Sequence, residues 1–191
     1  MAGIETDAFE KVAVAGVDDL WRWLAEHHER EQSVWLVTWK KGDDRHVSRD
    51  AVLDALVAHG WIDGIRRKLD DERTMQLVGR RRRQAWARSY KERAERLLAE
   101  NRMHFAGLAS LEEGRRSGRW NESDPVDDLV VPDDLRSALD AVDDTFFDAA
   151  APSYRRNVLR WIAGAKREPT RAKRIAATVE ASRAGRKMRN M

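Results

Sequence analysis

Apolar and polar positions alternate first at Glu10–Ala15 (EKVAVA), a period of two that predicts a short strand. The register then changes. Leu20, Trp23 and Leu24 fall at i, i+3 and i+4, so Leu20–Glu29 reads as a helix, with Asp18 or Asp19 placed to cap it. Ser33–Lys40 (SVWLVTWK) is rich in β-branched and aromatic residues and stops at Lys41-Gly42-Asp43-Asp44, which predicts a strand and a turn. Ser48 heads a second helix, Arg49–His59, with Val52, Leu53, Leu56 and Val57 on one side and Gly60 as its stop. Trp61–Leu69 and Arg73–Val78 read as two strands joined at Asp70-Asp71-Glu72, a hairpin.

Beyond Ala87 the period becomes helical throughout. Ala94, Leu97 and Leu98 line one helix, and Leu108 and Leu111 mark another over Gly107–Arg116. Asp133–Val142, Phe146–Ala149, Tyr154–Ala165 and a helix from Pro169 follow, Pro169 suiting a first turn because its missing N–H costs nothing there. Between the two regions, Asn121–Pro132 holds two prolines and many acids. The expected architecture is α+β: a small, mostly antiparallel sheet packed with helices, then a C-terminal helical region. The divisions are 1–120 for the core domain, 121–132 for an acidic linker, and 133–191 for the helical region with its basic tail.

Composition narrows the class. With 191 residues the chain is long enough for a core that needs no staples, and it has no cysteine, which excludes a thiolate nucleophile, a zinc-thiolate site and a disulfide framework. No apolar run approaches the roughly 20 residues of a membrane span. The opening MAGIETDAFEKVAVAG lacks a basic stretch ahead of an apolar one, so no signal peptide is expected and the cytoplasm is the expected compartment.

Charge changes the picture more. The net charge is only +3, but the signs are segregated along the chain. Residues 64–102 hold 13 Lys/Arg against 6 Asp/Glu, residues 121–151 hold 10 acids and one base, and residues 152–191 hold 12 bases and 2 acids. Acidic and basic blocks either neutralise one another within the fold or leave a basic face for a polyanion.

Candidate chemistry gathers at the hairpin. Arg80-Arg81-Arg82-Arg83 follow it directly, beside Arg66, Arg67 and Lys68, and strand periodicity sends Arg66 and Lys68 to one face and Arg67 to the other. With Trp86 nearby, guanidinium forks there suit phosphate or carboxylate. Trp61 and Asp63 share a strand face, and Arg66 or Arg80 are the expected partners of that carboxylate. The candidate ligand-binding set is therefore Trp61, Asp63, Arg66, Lys68, Arg80, Arg83 and Trp86. The same run also reads as a solvated charged edge that discourages strand pairing. Most of the eight tryptophans lie in apolar patterns and read as core, while Trp21 lies off its helix's apolar face. His27 and His28 point apart, and His46, His59 and His104 are scattered without metal-ligand spacing, so no metal or cofactor is expected. No phosphate loop, nucleophile elbow or other catalytic spacing occurs, and no catalytic residue is assigned.

Several segments together resemble a known family. These are Trp61-Ile62-Asp63-Gly64, the strand Ser33–Lys41, Arg81–Trp86 before Tyr90-Lys91-Glu92-Arg93, Gly107-Leu108-Ala109 and Gly118-Arg119-Trp120. In the C-terminal part come Tyr154, Trp161-Ile162, Ala165–Arg171 and Arg174-Ile175. Over residues 9 to 185 the chain resembles the bacterial YdeI/OmpD-associated proteins, often labelled bacteriocin-protection proteins. The resemblance implies a cytoplasmic protein linked to tolerance of bacteriocins, antimicrobial peptides or envelope stress, and supplies no catalytic residues. Where that family has an aromatic-rich Ser-Ile-Trp-Ser stretch, this chain reads Arg83-Gln84-Ala85-Trp86-Ala87. The expectation is a non-enzymatic protein that binds an anionic small molecule or an acidic protein partner. The alternative is a nucleic-acid-binding protein using the basic hairpin and the tail Arg183–Arg189.

Overall fold

The computed structural model describes residues 8–142 and 145–188. Residues 1–7, where the chain's opening was read, and Arg189 of the basic tail lie outside them. The chain forms two compact units, Met1–Glu122 and Ser123–Met191.

The first unit is built on a four-stranded sheet in the order β1-β2-β4-β3, formed by β1 (Lys11–Ala13), β2 (Val34–Trp39), β3 (Trp61–Lys68) and β4 (Arg73–Arg80). Only β1 and β2 run parallel; β2–β4 and β3–β4 are antiparallel, as expected for a mostly antiparallel sheet. Val34 to Val37 are buried almost completely, which explains why β2 lacks alternation: it is covered on both faces. Helices α1 (Val17–Glu26) and α2 (Arg49–Ala58) contribute Leu20, Leu24, Val52, Ala55 and Leu56 to a core shared with Leu36, Trp61 and Val78.

Helices α3 (Arg88–Ala99) and α4 (Phe105–Arg116) complete this unit around Val57, Trp86, Ala94, Leu97 and Leu111. Ser48 caps α2 as expected, its hydroxyl accepting from the Ala51 amide at 3.1 Å. Gly60 ends α2 at φ +73°. A Cβ there would stand 2.8 Å from the Ala106 carbonyl oxygen, so glycine lets α4 close against the α2–β3 turn. The cap expected for α1 differs. Gly16 is its N-cap without a side-chain bond, and Asp19 instead accepts from the Ala15 amide at 2.9 Å, tethering the entering chain from inside the first turn.

The second unit is helical: α5 (Asp124–Asp127), α6 (Asp133–Asp140), α7 (Phe146–Ala149), α8 (Pro152–Ala163) and α9 (Glu168–Arg183). Its core joins Leu135, Leu139, Phe147, Tyr154, Val158, Leu159 and Ile162. The acidic stretch 121–132 is folded in part: it contains α5, and Asp127 is buried with Arg160 at 3.5 Å. Acids of this unit meet bases of the same unit. Asp134 pairs with Arg171 at 2.6 Å, and Asp148 with Arg136 at 2.8 Å. No helix among the described residues is long and apolar enough to cross a membrane.

Candidate functional site: an arginine-walled cavity in the sheet-bearing unit

The end of β4 carries the arginine run into a cavity of about 290 Å³ bounded by the α1 exit, the α2–β3 turn and α4. Its lining includes His28, His59, Arg80, Arg81, Phe105 and Ser110, with Glu29 and Glu113 also on the wall. Arg81 is the central group. Its amide donates to the Gly60 carbonyl at 2.9 Å, which fixes the backbone, and its guanidinium turns inward until only 9% of the residue is exposed.

There Nη1 donates to the carbonyls of Gln84 and Ala85, at 3.3 and 3.2 Å, and the guanidinium lies over the rings of Trp86 and Tyr90. Nη2 is buried and has no hydrogen-bond partner among the described residues. Burial lowers the pKa of Arg81 to about 10, with the charge of Asp63 opposing the shift, so it stays a cation at neutral pH. A buried cation is costly unless an anion lies near, and here Asp63 supplies that charge without a hydrogen bond to it.

Asp63 sits beside this group but is committed elsewhere. It accepts from Gln76 Nε2 at 2.7 Å and from the Tyr90 hydroxyl, rather than from Arg66 or Arg80 as expected. The reason is register. Asp63 faces Val78 across the ladder, next to Gln76, and a bulge separates it from Arg66.

Arg80 donates to Glu31 at 3.1 Å, and Arg82 pairs with the same carboxylate. One glutamate thus serves two arginines, and Arg83 is exposed and makes no ion pair among the described residues. Glu31 on the α1–β2 connection pairs with two of these arginines, and Asp63 on β3 acts on Arg81 through its charge.

The remaining expected site residues are dispersed. Arg66 donates to Thr74 Oγ1 at 3.0 Å and Lys68 pairs with Asp71, both along the hairpin and away from the cavity lining. Trp61 and Trp86 are not surface flanks. They are 0% and 1% exposed and lie in the two cores of the unit. Trp61 packs edge-on against Trp23, and α4 presses Gly114 so close to Trp86 that a Cβ would fall 2.4 Å from its Nε1. Of the seven, only Arg80 lines the cavity, and Asp63 stands behind it through its charge on Arg81.

The structure also assembles what looked scattered. His59 and His104 stack with centroids 4.9 Å apart, His28 lies 5.0 Å from His104, and Trp21 meets His59 edge-on at 5.1 Å. Trp21 is thus half-buried, packed between the unit's two cores. Each of His28 and His59 directs Nδ1 at a helix carbonyl, Ala25 at 2.6 Å and Ala55 at 2.8 Å, so the proton resides on Nδ1. Burial, then the neighbouring imidazoles, holds His59 below the ordinary imidazole value, and His104 is lowered in the same way. His28 and His59, which line the cavity with Arg80 and Arg81, and His104 thus form one cluster. No sequence signal paired them, because 28, 59 and 104 follow no helix or strand period. No group of described residues has the geometry of a metal site.

Comparison with known proteins now adds identity. Residues 12–110 match a domain of unknown function (DUF8412), which spans the sheet, α1 to α3 and the first turn of α4. Residues 128–185 match the family described as bacteriocin-protection, YdeI or OmpD-associated. The chain belongs to the first family and carries a YdeI/OmpD-associated domain. That domain takes in α6 to α9, so the resemblance read from the sequence holds in the helical unit, while the cavity lies in the unit matched by the domain of unknown function. No curated protein and no solved structure matches the chain.

Proposed function

We propose that this is a non-enzymatic, cytoplasmic binding protein whose sheet-bearing unit takes a small anionic ligand in the cavity beside Arg81. The observation that carries the reading is the buried guanidinium with an unpartnered Nη2. A carboxylate or phosphate oxygen entering the cavity would add to the counter-charge of Asp63, which accepts no hydrogen bond from this guanidinium. Arg80 adds a second cation at the wall, and Ser110 a hydroxyl. The imidazoles of His28 and His59 and the ring of Phe105 line the wall that would meet the rest of the molecule. The YdeI/OmpD-associated domain supports placing this binding in protection against bacteriocins.

A thermal-shift series with phosphate, citrate, glutamate and nucleoside monophosphates, at two salt concentrations, tests the reading. A ligand at a hundredfold its Kd stabilises by about 2.7 kcal/mol, a rise of roughly 5–10 °C for a chain of this size. Arg81→Met and Arg80→Gln should each reduce that rise. No response to any anion, or an undiminished response in both variants, would remove the proposal.

A further inference from the structure

Three cations singled out in the sequence, Arg66, Arg67 and Lys68, lie outside the cavity lining. They lie on β3, an edge of the sheet that pairs only with β4. Its first residues, Trp61–Asp63, are buried or half-buried, but every residue from Gly64 to Lys68 is exposed. Ile65 shows 49% of its surface, one of the largest apolar exposures in the chain. A bulge shifts the register between Asp63 and Arg66, and β3 pairs with β4 again from Arg66 to Lys68. A five-residue strip of edge, about 17 Å long, thus carries Arg66 and Lys68, while Arg67 reaches back over the ring of Trp35.

An edge strand is a template for another strand, and charges and bulges limit which strand can add. Both devices are present, and the charge has one sign. Arg66 meets a threonine hydroxyl rather than a carboxylate. Lys68 meets Asp71, whose side chain is 94% exposed, and an ion pair so solvated holds little energy. A second copy adding antiparallel would set cations against cations, which is destabilising at directly opposed positions. A strand bearing carboxylates at the matching positions would gain what the second copy loses, with Ile65 offering apolar contact beside them.

We infer that the outer half of β3 is a docking edge for an acidic peptide segment of a partner protein, which adds as a fifth strand beside Gly64–Lys68. The edge shares no residue with the cavity, so either idea can fail alone.

The test uses the full chain and a blocked nine-residue peptide alternating glutamate and valine. Amide hydrogen exchange should slow several-fold at residues 64–68 and not at the opposite edge, β1. A peptide with its central valine replaced by proline, which removes a ladder donor, should lose the protection. The double variant Arg66→Glu/Lys68→Glu should weaken binding about tenfold and transfer preference to a lysine–valine peptide, because complementary charge selects the partner. Both positions are exposed, and circular dichroism verifies that the variant is folded. Three outcomes overturn the inference: no protection at 64–68, equal binding of the proline peptide, or protection by oligodeoxythymidine but not by the acidic peptide.

Discussion

Arg81 and His59 show how burial sets the chemistry of single residues. His59 is 3% exposed and its imidazole is held below its ordinary value by burial. On unfolding it regains the normal affinity, so the unfolded chain binds the extra proton, and acid favours unfolding. Its contribution is fully present above the ordinary imidazole value and is lost as pH falls through that value towards the folded one. Thermal melts from pH 7.5 to 5 should therefore drop more steeply for the native chain than for His59→Gln. A parallel pair of curves would show that His59 is not the group responsible. At Arg81 the sequence was legible only in part: four arginines in a row announce a cationic site without saying which turns inward. The bond from its amide to Gly60, made across the fold, selects it. Trp61 and Trp86 teach the converse. Their apolar surroundings read as core, and that reading serves better than their nearness in sequence to the arginines.

Among the elements, most boundaries follow from caps and periodicity. Ser48→Ala removes a side-chain acceptor from the first turn of α2 and should cost about 1 kcal/mol, measured by urea denaturation. Helix α4 depends on close approach instead. Gly114→Ala would press a methyl group into Trp86 Nε1, at 2.4 Å before relaxation, and should destabilise by about 2 kcal/mol. Changed tryptophan fluorescence should accompany the loss. A neutral Gly114→Ala would mean that Trp86 repacks freely. The parallel pairing of β1 with β2 was beyond the sequence, since a three-residue strand carries too short a pattern to state its direction. The same holds for α5, four residues with a proline inside an acidic run.

At the scale of the molecule, segregated charge resolves into balance within each unit. Residues 1–122 hold 23 Lys/Arg against 22 Asp/Glu, and residues 123–191 hold 13 against 11. Pairs such as Asp134–Arg171 explain why the acidic and basic blocks of the second unit follow one another. Each unit also has its own core. Leu139→Ala in the helical unit should cost about 3 kcal/mol and accelerate amide exchange across α6, α8 and α9, whose buried residues it touches or neighbours. Exchange in β2 and α2 should change less; equal acceleration there would show one cooperative core.

The sequence by itself determined the α+β class, the hairpin, the order of helices and the resemblance now matched in residues 128–185, because periodicity, caps and turn residues act over a few neighbours. Tertiary structure alone decided which arginine is buried, what holds Asp63, and that His28, His59 and His104 stack. The stacking of the histidines and the hold on Asp63 join residues a dozen or more positions apart, and which arginine turns inward depends on burial, which no local pattern encodes.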